Sequence, residues 1–208
     1  MEFDKRPWLG TWDNFETYIY SKELKMELCW DEAERAFRKG KLPLPQIEGV
    51  KLFWAKACDT ISKRNKVRLT GWDVDDVADG IRITWYGESN LGEVKQGIVN
   101  PETLAVHTYR LDHIMDKFLE GKRGYVFVAV DGDEESPFRT LIAMSPMEEG
   151  QDSKIIPHLH FQYGKTYEGL VPMGHLRHKF WYATMCKGNS TLLEKCNIVR
   201  ALHKLELW

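Results

Sequence analysis

Trp72-Asp73-Val74-Asp75-Asp76-Val77-Ala78-Asp79-Gly80-Ile81-Arg82-Ile83-Thr84-Trp85-Tyr86 is the stretch on which the fold turns. Apolar and polar side chains alternate on both sides of Asp79-Gly80, and an Asp-Gly step between two alternating runs is a strong hairpin signal. A period of two puts Ile81, Ile83 and Trp85 on one face of a strand. Downstream, further strand candidates run over 104–109, 125–130, 138–143 and 155–163.

Upstream of the hairpin the pattern is helical. Asp13-Asn14-Phe15-Glu16 has the form of a capping box, and Trp12, Phe15, Tyr18 and Ile19 recur at helical spacing. Met26, Trp30, Ala33 and Phe37 share the face of a second helix that stops at Lys39-Gly40, a cationic end followed by a C-cap glycine. After an extended linker, Leu42-Pro43-Leu44-Pro45, a third helix is marked by Val50, Phe53, Trp54, Ala57 and Ile61. Ser190 or Thr191 opens a last helix with Leu192, Cys196, Val199 and Leu202 on one face. This order predicts one α+β domain over residues 1–208: a helical segment 1–66, the strands of an antiparallel barrel in 70–165, and a loop and C-terminal helix in 166–208.

Composition narrows the function. Lysine and arginine number 29 against 31 acids, a formal net charge of −2, which argues against the basic face that nucleic-acid binding needs. No apolar run reaches the ~20 residues that span a bilayer. The opening Met-Glu-Phe-Asp-Lys-Arg-Pro has no apolar core of a secretory signal, so the expected location is cytoplasmic, or periplasmic or secreted if a leader preceded the chain. Cys29, Cys58, Cys186 and Cys196 form no C-x-x-C pair; the alternatives are four free buried thiols or a Cys186–Cys196 bridge.

The segment richest in chemistry is Ile155-Ile156-Pro157-His158-Leu159-His160-Phe161-Gln162-Tyr163-Gly164. On a strand His158 and His160 project to one side, and Leu159, Phe161 and Tyr163 to the other. Two imidazoles on a rigid strand form half of a site for zinc or another borderline metal, and one or two further ligands would complete it. Because protonated imidazole cannot ligate, binding is expected to weaken as the pH falls through the histidine range. The other reading of the pair is two polar residues on a solvated strand face. Gln162, on the same side, is a candidate partner for the ring N–H groups.

The order of several motifs resembles the ZinT (YodA) family of metal-binding proteins. The resemblance rests on Trp8-Leu9-Gly10-Thr11-Trp12, Asp79-Gly80-Ile81, Gly124-Tyr125-Val126-Phe127, Ser136-Pro137-Phe138 leading to Ile142-Ala143-Met144, His158-Leu159-His160-Phe161, and Trp181-Tyr182. It covers nearly the whole chain, with an additional segment around residues 106–120. It implies a lipocalin-like, or calycin-like, barrel carrying helices, with zinc or cadmium at the barrel mouth. It also implies a role in zinc recruitment or buffering, in some members beside a metal-transport partner. The sequence departs from the family where a first histidine ligand is expected, since Ala143-Met144-Ser145 stands there. The candidates for a third ligand are therefore Met144, a soft donor, and His175 or His178 in His175-Leu176-Arg177-His178. His107 and His113 lie in the additional segment, and His203 on the last helix reads as a surface or packing residue.

Two other classes compete with metal binding. A barrel of this type can hold a small apolar molecule, although its aromatic residues read more simply as core. A metal-dependent hydrolase would need an open coordination position and a nearby general base. No catalytic motif is present, so the expectation is a non-enzymatic binder.

Overall fold

The hairpin forms where the alternation places it. The computed structural model describes residues 3–40, 48–60, 68–88, 101–147 and 156–208. Among them are eight strands: β1 (Gly10–Asn14), β2 (Arg68–Val77), β3 (Gly80–Glu88), β4 (Glu102–Met115), β5 (Gly124–Ala129), β6 (Thr140–Ala143), β7 (His158–Gly164) and β8 (Ala183–Lys187). The α-helices among the described residues are α1 (Glu16–Ile19), α2 (Leu24–Arg38), α3 (Val50–Ala57), α4 (Tyr167–Leu170) and α5 (Leu192–Leu202). Each strand pairs antiparallel with the next, and β8 returns to β1 to close the barrel. The fold is a lipocalin-like or calycin-like α+β barrel with helices from both ends of the chain.

The register of the hairpin refines the sequence reading. Val77 pairs with Gly80, so Ala78 and Asp79 form the turn and Gly80 begins β3. Gly80 is demanded by the neighbouring strand: a Cβ there would lie 2.0 Å from the Tyr109 carbonyl oxygen on β4.

The inward faces of the strands are mostly apolar, and their rings fill the barrel. Trp72 meets Trp85 at 4.9 Å and Phe161 at 4.7 Å between ring centroids, while Phe138 stacks on Trp85 at 4.7 Å and on Tyr163 at 5.1 Å. Trp8, on a 3-10 turn before β1, packs with Phe3, Tyr125 and Phe127 against this core. An eight-stranded barrel is just wide enough for its own side chains, and here those side chains occupy the space in which a carried ligand would sit. A buried network adds direction: the Trp85 indole donates to the Tyr109 hydroxyl at 2.9 Å, and that hydroxyl donates to the Phe138 carbonyl.

Two strands lie where the sequence predicts something else. Residues 10–14 form β1, not the lead-in to a helix, and Trp12 enters the barrel core. Asp13-Asn14-Phe15-Glu16 is not a capping box: Phe15 occupies the N-cap without a side-chain bond, and α1 is a single turn. The pairing of β1 with both β2 and β8 outweighs the weak helical propensity of so short a segment. β8 falls in the stretch expected to be loop, because its Ala-Thr-Met-Cys run shows little polar alternation: both of its faces are covered. The division into 1–66, 70–165 and 166–208 therefore gives way to a barrel that recruits strands from all three segments.

The longer helices follow their patterns. Met26, Cys29, Trp30 and Ala33 bury one stripe of α2, which ends at Gly40 with φ of +69°. Thr191 and Glu194 make a reciprocal capping box at the start of α5. α2 and α5 pack together over Phe15, Tyr18 and Ile19, and this layer covers the barrel wall at Cys186. The extended linker 42–45 and Ile61 lie outside the described residues. All four cysteines are free and buried, so the Cys186–Cys196 bridge is not formed.

Candidate functional site

Strand period alone sets the two faces of β7. Leu159, Phe161 and Tyr163 join the barrel core, while His158 and His160 face outward under the helical layer. The resemblance places a metal at the barrel mouth, but these histidines stand on the outer wall. They line a pocket of about 210 Å³ with Phe15 of the β1–α1 junction, Trp54 of α3, Thr184 and Cys186 of β8, and Ile198 of α5. The histidine ring centroids are 5.9 Å apart. Two imidazoles sharing one tetrahedral zinc at ~2.0–2.1 Å bonds would have centroids roughly 5 Å apart, somewhat closer than these two rings stand.

Hydrogen bonds define which ring atoms are available. His160 Nδ1 lies 2.8 Å from Thr184 Oγ1, which itself donates to the Tyr182 carbonyl at 2.8 Å. With its proton so committed, the Thr184 hydroxyl accepts from His160, and this assigns the proton to Nδ1 and the lone pair to Nε2. His158 Nδ1 is buried and, among the described residues, makes no well-formed hydrogen bond, its nearest polar neighbour on the chain being the Ile156 backbone. Burial holds the His160 imidazole down at about 4, with the His158 and Lys122 charges acting in the same direction. Burial also lowers His158, against the pull of the Ile156 backbone. Both rings are therefore neutral at neutral pH, and their protonation lies below the range expected from the sequence.

The remaining candidates are elsewhere. Met144 is buried in a separate apolar cluster with Phe118, Ile142 and Leu170, and reaches β7 through its backbone N–H to the His160 carbonyl. His175 is exposed, and His178 lines an open groove beside Phe53 and Lys56. Gln162 does not serve the histidines: its amide donates to the His178 and Trp181 carbonyls at 2.8 and 3.0 Å and fastens that loop to the barrel. His107 is buried between Asp131 and Ser136, and His113 pairs with Asp112 on the surface of β4. His203 packs between Trp30 and Trp54 and accepts the Trp54 indole proton at 3.0 Å. Among the described residues, no three His, Cys, Asp or Glu side chains as arranged come together at one point where a metal could be held.

Thr184, Cys186 and Trp54 are the site residues that sequence reasoning did not assign. Trp54 carried a helical signal, but nothing local marks Thr184 or Cys186, whose role depends on β8 lying beside β7. No helix among the described residues is long and apolar enough to cross a membrane. Comparisons with protein-family models, with curated proteins and with solved structures found no match.

Proposed function

We propose that this chain reversibly binds a divalent transition metal, zinc first and cadmium or a similar ion next, through His158 and His160. On this reading it shares with the ZinT family a histidine metal site as well as a barrel, and its role is to buffer or recruit the ion. The observation that carries the reading is the pair itself. Two neutral imidazoles face one pocket, with His160 Nε2 left free by the Thr184 bond and His158 Nδ1 buried without a well-formed hydrogen bond among the described residues. A buried ring nitrogen without a well-formed hydrogen bond is costly, and a metal ion would satisfy it. Neutral rings bind without first losing a proton.

Binding fits this site better than hydrolysis, because among the described residues no aspartate or glutamate lines the pocket to act as a general base. A second reading has one observation in its favour: most of the pocket wall is apolar, with Phe15, Trp54, Ile198 and Leu202 facing the histidines. A small apolar molecule would bind there, outside the filled barrel. The test is calorimetric titration of the chain with zinc, alongside the His158→Ala/His160→Ala double variant. Saturable one-to-one binding lost in the variant supports the metal. Absence of binding, with a chelator-insensitive change in tryptophan fluorescence on adding a lipophilic ligand, supports the second reading and overturns the first.

A further inference from the structure

The residue directly across from His158 on the outer wall is Cys186. The Lys187 N–H donates to the Pro157 carbonyl at 2.8 Å, a bond that flanks His158 and Cys186 and makes them a non-hydrogen-bonded pair. Facing Cα atoms in such pairs stand about 4.5 Å apart, the closest approach an antiparallel ladder offers. Two residues along, His160 faces Thr184 in a pair of the same type, and there the side chains do meet, at 2.8 Å. All four side chains line one pocket.

We propose that Cys186 is the third protein ligand of the His158–His160 site, giving a two-nitrogen, one-sulfur donor set for zinc or a similar borderline ion. The inference rests on the metal-binding reading above. As arranged, the Cys186 thiol lies against the Tyr18 hydroxyl. The sulfur already stands on the same face of the ladder as the rings but does not converge with them as arranged, so on this proposal binding turns it about χ1 from Tyr18 toward the facing His158. Three protein donors with a fourth position open to water or to a transfer partner suit a site that takes up and releases its ion. On binding, the thiol proton leaves to solvent as the sulfur–metal bond forms. The two imidazoles, already neutral, release none. Cys58 stands behind Thr184 without lining the pocket, which makes it the control thiol.

Cobalt(II) is the probe, followed by absorption at neutral pH and displaced by zinc. The intact chain is expected to show a thiolate-to-cobalt charge-transfer band in the near ultraviolet together with tetrahedral visible bands. Cys186→Ala should lose the charge-transfer band and bind about a hundredfold more weakly, one ligand's share of the affinity of a zinc site. Cys58→Ala should keep the band. Should Cys186→Ala fail to fold, His158→Ala/His160→Ala must abolish the band, since sulfur and imidazoles share one ion. Cobalt bound with no charge-transfer band overturns the role of Cys186 and leaves the histidine site standing. A band that survives the double histidine variant, or that follows Cys58, overturns it too. No cobalt or zinc bound at all overturns both proposals.

Discussion

His160 and Thr184 face each other across β7 and β8, and the 2.8 Å bond between them sets the tautomer of the imidazole. The hydroxyl serves as an acceptor because its own proton goes to the Tyr182 carbonyl. Thr184→Val keeps the shape and removes the acceptor. Zinc affinity should fall about ten- to a hundredfold, the usual cost of losing a partner that orients a ligating histidine. Calorimetry on the folded variant measures this, and unchanged affinity would show that the tautomer is set by other means.

Two buried groups titrate in opposite senses. Burial lowers the His160 imidazole from 6.5 to about 4, so between those values the unfolded chain holds more protons and the contribution to stability is lost as pH falls. Burial raises the Glu16 carboxyl from 4.5 to about 7, against the bonds from Thr60 and the nearby Arg68. There the folded chain holds the extra proton, and the contribution is lost as pH rises through about 7. Relative to the intact chain, Glu16→Gln should gain stability on going from pH 4.5 to 7 and His160→Gln on going from 6.5 to 4, each by on the order of 3 kcal/mol. Urea unfolding across this range, read by tryptophan fluorescence, is the measurement; parallel profiles for the two variants would refute the assignment.

Tyr109→Phe tests the barrel interior. The hydroxyl receives the Trp85 indole N–H and donates to the Phe138 carbonyl, and its removal leaves both partners buried and unsatisfied. At about 1–3 kcal/mol for each orphaned group, chemical denaturation should show a loss of roughly 2–6 kcal/mol.

Thr191→Ala breaks the capping box at the head of α5, where Thr191 and Glu194 bond each other reciprocally. The expected loss is about 0.5–2 kcal/mol. Since α5 carries Ile198, Ala201 and Leu202 over the histidines, amide exchange should accelerate first along this helix. Exchange that quickened equally across the barrel strands would mean the cap is not locally coupled.

What could be read from the sequence was whatever a local period determines. The β2–β3 hairpin, the buried stripe of α2, the cap of α5 and the shared side of His158 and His160 all follow from spacings of two to four residues. What was missed depends on pairing between distant residues. Trp12 and Phe15 read as helical because one turn of real helix follows a strand that only β2 and β8 define. Thr184 and Cys186 acquire meaning from their register against His160 and His158, and a run buried on both faces gives no alternation to announce it. The direction in which the histidines face, outward and under helices, is likewise a property of the closed barrel rather than of β7.

Closure by β1 and β8 also constrains how this chain reaches its native state. Trp12 cannot find Lys187, nor Asp13 find Cys186, until residues near both ends of the sequence have been made and brought together. Contacts of such long range are slow to form because loop entropy must be overcome before they are rewarded. Until then β1 and β8 each lack one neighbour, and an unpaired strand edge invites pairing with another chain. The rate-limiting step of folding is expected to be the zipping of this last seam, with aggregation competing in proportion to chain concentration.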